Sequence, residues 1–84
     1  MLNKYDRTRL RWRARRGLLE NDLIITRFLD AYETRLTDED VVALTALLEL
    51  DDNSLLDLLL ARTQPTGPLD TEAVRTILAR LRAA

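Results

Sequence analysis

Apolar residues along this chain recur at helical rather than strand spacing, and polar breaks divide them into five runs. The clearest run is Ile25, Phe28, Leu29, Tyr32 and Leu36, at i, i+3, i+4, i+7 and i+11. It predicts a helix over about Leu19 to Arg35 that forms the spine of the core, with Leu18 and Leu19 extending its apolar surface back toward Gly17. A first helix is expected from Lys4 to Arg16, with Asn3 available as its cap. Its apolar stripe is narrow: Tyr5 and Trp12 lie seven apart, Leu10 and Ala14 four apart, with arginine in between. The alternation from Arg7 to Arg15 also fits a strand. However, the facing set Thr8, Leu10, Trp12 and Ala14 is poor in β-branched bulk and no hairpin partner follows.

The later boundaries are written in cap chemistry. Thr37 can cap a third helix running to about Leu50, with Asp38, Glu39 and Asp40 at its positive end and Leu36 and Val41 placed as a staple. This helix should bury Val41, Leu44, Leu47 and Leu48, packed antiparallel to the second helix or at a sharp angle to it. Any of Asp51, Asp52, Asn53 and Ser54 can cap a short fourth helix through Leu60. Its five leucines between Leu55 and Leu60 exceed one narrow face, so it is either buried on most sides or leaves an apolar patch. Thr63 to Pro68 holds both prolines and the second glycine and reads as a loop. A fifth helix then starts after Asp70 as cap, with Leu69 and Val74 as a staple, and buries Val74, Ile77, Leu78 and Leu81. Arg80 and Arg82 suit its negative end. The expectation is all-α: a compact, bundle-like single domain over residues 1–84, with five helices and short loops.

Composition narrows the chemistry. A chain of 84 residues buries only about 60% of its unfolded surface, which leaves no room for an enclosed catalytic chamber. With no cysteine and no histidine, thiol and imidazole catalysis, disulfides and Cys/His zinc sites are excluded, and an enzyme is not expected. No apolar stretch is long enough to span a bilayer and no signal-peptide core is present, so the chain reads as soluble and intracellular, without membrane insertion. Formal net charge is only -1, yet residues 1–20 carry +5 and residues 37–84 carry -5. Such an electrically two-ended molecule can be steered onto an acidic protein surface.

The change of character falls at Arg13-Ala14-Arg15-Arg16-Gly17-Leu18-Leu19-Glu20. Gly17 is the one early position without a Cβ and is a hinge candidate. If one helix ends there and another begins near Leu18, Glu20 sits in a first turn that favours negative charge. If the turn is helical throughout, Gly17 and Glu20 share a face. Either way backbone and carboxylate are presented together, as a capped helix end or as a knuckle where another backbone approaches and Glu20 bonds across an interface.

Other readings compete. The basic first helix could contact nucleic acid, with Trp12 or Tyr5 stacking on a base, but no recognition helix or second basic element is present and nucleic acid is disfavoured. A regulatory adaptor using the same helix is the alternative of the same kind. Trp12 and Tyr5 are most simply core anchors, or else lie at the edge of a docking surface. The cluster of Glu49, Asp51, Asp52 and Asp57 lacks calcium-loop spacing and is better explained by helix capping, so no metal is assigned. Glu20 and Asp22 show neither the pocket nor the aligned partner that acid–base work needs.

Arg16-Gly17-Leu18-Leu19-Glu20 resembles the Arg-Gly-x-x-Glu signature of the succinate dehydrogenase assembly factor family, the flavinylation factors of bacteria and mitochondria. The likeness takes in Trp12 and Arg15 to Asp22. It continues through Phe28, Tyr32, Leu36-Thr37-Asp38 and Leu50-Asp51-Asp52-Asn53 to Pro65, covering about residues 4–81. It departs in the fourth helix, where family members often carry an aromatic and this chain has leucines, and in stopping soon after the last helix. The resemblance implies a small helical chaperone that binds the flavoprotein subunit of succinate dehydrogenase, and of fumarate reductase as a second client, and promotes covalent attachment of FAD to it. The flavin belongs to the partner, and this chain binds no cofactor stably by itself. The implied contact residues are Trp12, Arg13, Arg15, Arg16, Gly17 and Glu20. The implied compartment is the bacterial cytoplasm, or the mitochondrial matrix in a eukaryote.

Overall fold

The computed structural model describes residues 4–15 and 17–84, and its elements are helical, joined by short connections. Helix α1 spans Lys4–Ala14, α2 Leu19–Tyr32, α3 Asp38–Leu48, α4 Asp52–Leu59 and α5 Glu72–Ala83. Single 3₁₀ turns cover Glu33–Arg35 and Gly67–Leu69. The expected all-α bundle of five helices is therefore present. None of the helices among the described residues is long and apolar enough to cross a membrane. The proposed cap Asn3 lies outside the described residues.

Helix α2 is the spine. Its Ile25, Phe28 and Leu29 are buried, with Phe28 stacked on the half-buried Tyr32 at a ring-centroid distance of 5.1 Å. It packs against α1, α4 and α5, and α3 lies chiefly on α5. The core is almost wholly aliphatic, and each fully buried leucine contributes about 1.5–3 kcal/mol. The stripe does not run back through Leu18 and Leu19 as expected: Leu18 is half-buried and Leu19 is exposed. The residue that continues it, four before Ile25, is the buried Asn21.

The helix ends follow their chemistry with three adjustments. First, the α-helical part of the spine stops at Tyr32 and tightens into a 3₁₀ turn, a common way to satisfy terminal carbonyls. Second, α3 starts with a reciprocal capping box, the Thr37 hydroxyl accepting from the Asp40 N–H at 3.1 Å and the Asp40 carboxylate accepting from the Thr37 N–H at 3.0 Å. That helix buries Ala43 together with Leu44, Leu47 and Leu48, while Val41 is only half-buried. Third, α5 is capped by Thr71, whose hydroxyl accepts from the Val74 N–H at 3.1 Å, and not by Asp70, which instead pairs with Arg75. The expected Leu69–Val74 staple is accordingly out of register with the cap.

The leucines of α4 are mostly consumed internally. Leu55, Leu58 and Leu59 are buried, Leu56 is half-buried and Leu60 is exposed. Arg82 serves a neighbour more than its own helix: its guanidinium donates twice to the Leu58 carbonyl, at 2.8 and 3.0 Å, and so tethers the end of α5 to α4.

Candidate functional site

The turn from α1 to α2 is a real break. The first helix ends at Ala14 and the second begins at Leu19, with Gly17 and Leu18 in a bend. Leu18 occupies the N-cap position without a side-chain cap, and Glu20 and Asp22 fall in the first turn of α2, where free amides favour carboxylates. Gly17 is exposed, and a Cβ built on it would sit 3.6 Å from Asp52 Oδ2, an ordinary van der Waals distance. The fold's own packing thus leaves room for a methyl group at this position.

Asp52 fastens the bend from below. Its Oδ2 accepts the Leu18 N–H at 3.2 Å, and Asn21 Nδ2 donates to the Asp52 carbonyl at 2.8 Å and to Oδ1 at 3.4 Å. The carbonyl contact fixes the amide orientation of Asn21, because only its NH₂ can face a carbonyl oxygen. Asn21 Oδ1 is then left buried without a partner among the described residues. Capping, which the sequence suggested for the acidic cluster, describes Asp51, whose Oδ1 accepts the Ser54 N–H at 2.7 Å. It does not describe Asp52, which ties two distant segments together, nor Asp57, which faces Arg62 at 3.5 Å. The detectable signal for this pair was Asn21 itself, a polar residue set into an apolar stripe.

The other anticipated site residues divide. Glu20 is exposed, and its carboxylate makes no hydrogen bond or ion pair among the described residues. Arg13 is likewise exposed and unpaired among them, and Arg16 lies outside the described residues. Trp12 is 69% exposed and Tyr5 equally so, which overturns their simplest reading as core anchors. Leu10 and Ala14, on the other side of α1, do that anchoring. Arg15 lies over the Trp12 ring with its guanidinium carbon 5.7 Å from the centroid, and Arg9 over Tyr5 at 5.6 Å.

The arginines of α1 do not form one basic face. Arg11 is held by Glu33 and by Asp30, the latter at 3.0 Å, and Arg7 approaches Glu33 at 3.8 Å. Burial opposes the Arg11 charge, but the hydrogen bonds to Glu33 and Asp30 and the charges of both outweigh it and raise the guanidinium above its ordinary value. The alternate spacing therefore turns Arg7 and Arg11 toward α2 and leaves Arg9 and Arg13 in solvent. Between α1 and α2 lies an open groove of about 430 Å³. Its floor is apolar and its rim includes Arg11, Trp12, Arg15, Asp22 and Thr26, of which Arg15 and Asp22 flank the Gly17–Glu20 bend in sequence.

Comparison with known proteins gives a consistent picture. The sequence model of the Sdh5 family, described as flavinator of succinate dehydrogenase, matches residues 8–82. A Ralstonia nicotianae protein named FAD assembly factor SdhE is 65% identical over 77 residues, covering 92% of this chain and 81% of that protein. Proteins of the same name from Photobacterium profundum and Pseudomonas aeruginosa are 33% and 31% identical, covering 94% and 96% of this chain and 90% and 96% of theirs. No solved structure gives a significant match.

Proposed function

This chain belongs to the Sdh5 family of succinate dehydrogenase flavinators, and from that premise we propose that its Arg15-to-Glu20 corner is the surface that seats on the client. The protein is an assembly factor for the flavoprotein subunit of succinate dehydrogenase and promotes its covalent flavinylation. It is not a free-standing enzyme. The new bond joins a histidine nitrogen of the subunit to the flavin, and this chain, which has no histidine, cannot supply the acceptor. FAD accordingly belongs to the client.

The observation that carries the corner reading is the contrast at the bend. The turn is fastened underneath by Asp52, while Gly17 and the Glu20 carboxylate face outward, and Glu20 has no bonding partner among the described residues. An unpartnered carboxylate carried on a fastened backbone can accept charge-assisted hydrogen bonds from another protein without breaking any bond of its own. Trp12 adds apolar area beside it, and Arg13 and Arg15, with Arg16, supply charge for an acidic client surface. Holding mobile parts of the subunit in attachment geometry lowers the barrier by several kcal/mol, with no catalytic group donated. The split of the α1 arginines weakens the nucleic-acid alternative, since Arg7 and Arg11 are occupied by Glu33 and Asp30.

The test is capture of apo and FAD-loaded flavoprotein subunit by this chain, followed by in-gel flavin fluorescence after denaturation. Flavin retained through denaturation reports the covalent bond. Capture and flavinylation unchanged after Glu20→Ala and after Arg15→Ala together would refute the corner. The flavoprotein subunit of fumarate reductase, run in parallel, decides whether it is a second client. The work is placed where the client matures, in bacterial cytoplasm or mitochondrial matrix.

A further inference from the structure

We propose that the groove between α1 and α2 is an anchor site that receives an apolar side chain of the client flanked by a carboxylate. This rests on the corner reading above and extends it from the bend to a second, concave contact.

The groove's floor is built from Ala14, Ile25 and Leu29, all buried, and Trp12, Arg15 and Thr26 stand around it. About 430 Å³ suffices for one large side chain and part of its backbone. The floor offers no polar group to satisfy, so the inserted group is apolar. The rim sets the neighbouring chemistry. Arg11 is already neutralised by Glu33 and Asp30, whereas Arg15, which shares the groove with Asp22, makes no ion pair among the described residues and lies over the Trp12 ring. A client carboxylate beside the inserted group completes Arg15, in keeping with the positive N-terminal part of the chain.

Trp12 has no structural employment to account for it. It is 69% exposed, contributes nothing to the core cluster, and stands at the groove's edge with Arg15 stacked on it. Covering an exposed tryptophan, which has only two side-chain torsions to order, removes a large apolar surface from water, which is how interface anchors gain most of their affinity. The same two side chains, Trp12 and Arg15, belong to the groove and to the corner, so one client surface can occupy both.

The test uses the fact that Trp12 is the only tryptophan. A chain labelled with 5-fluorotryptophan has one fluorine resonance, read while apo flavoprotein subunit is added. The resonance should move to a new chemical shift at saturation, and Thr26→Phe, which fills the groove from its exposed rim, should weaken capture by ~10-fold without altering the melting curve. An unmoved resonance on saturable binding, or full capture by a folded Thr26→Phe chain, overturns the inference. If Glu20→Ala still loses capture in that case, the corner reading survives alone. If Thr26→Phe loses capture while Glu20→Ala does not, the groove stands and Glu20 drops out of the contact. A resonance that moves with the chain's own concentration, with dimer in sedimentation, assigns the groove to a second copy and overturns the client as occupant.

Discussion

The carboxylate of Asp52 accepts the backbone N–H of Leu18 at 3.2 Å, across 34 residues of sequence, and thereby holds the α1–α2 bend against the start of α4. Asn21 repeats the link from inside the helix through the Asp52 carbonyl at 2.8 Å. The bend is thus a fixed corner, and its outward geometry is set by residues that do not themselves face outward.

Removing the link should therefore loosen the corner more than the bundle. Asp52→Ala is expected to destabilise the protein by about 1–2 kcal/mol and to accelerate hydrogen exchange at the Leu18 amide. Asp51→Ala, which removes the α4 cap, should cost about 1 kcal/mol and leave the Leu18 amide protected. Amide exchange by NMR beside thermal melts checks both. Equal effects of the two at Leu18 would contradict the distinction.

At Gly17 the expectation separates folding from docking. A methyl group meets Asp52 Oδ2 only at van der Waals distance, so Gly17→Ala should change stability by no more than about 1 kcal/mol. If the client's backbone approaches this position, the same substitution should weaken capture by ~10-fold, since displacing a fitted contact by even a methyl group is costly. Circular-dichroism melts and the capture assay measure the two effects. A longer side chain is a less clean probe, because it would start toward Asp52 and compete for the carboxylate.

Within the fold Glu20 has only its favourable place in the first turn of α2 to lose. Glu20→Ala should leave the melting temperature nearly unchanged, yet weaken capture of the flavoprotein subunit by about 1.5–3 kcal/mol if the carboxylate accepts a charge-assisted hydrogen bond there. A fall in stability of the same size as the fall in affinity would reassign this residue to the fold.

The opposite pattern is expected for the inward arginines. Arg11 joins α1 to Asp30 and Glu33 near the end of α2, partly exposed, so Arg11→Met should cost roughly 1 kcal/mol of stability and little affinity. Arg13→Met and Arg15→Met should do the reverse, and capture should weaken as salt is raised past about 0.1 M, where the screening length falls to about 10 Å. Titration at several salt concentrations compares the slopes of the two groups.

The sequence by itself determined the helices and most of their ends. Helical period, the Thr37 capping box and the Pro-Gly loop are local features, encoded within a few residues of where they act. It also marked the bend, because a lone glycine between an arginine-rich and an apolar run is visible without any neighbour. Tertiary structure alone decided which side of α1 faces inward, burying Leu10 and Ala14 and leaving Trp12 exposed. It likewise sent Arg7 and Arg11 to Glu33, made Asp52 a fastener where its neighbour Asp51 is the cap, and opened a groove beside Trp12. Each of those outcomes depends on how helices far apart in the chain are set against one another. The contacts that fix the corner span 31 and 34 residues, and a pattern read over one or two turns carries no information about them.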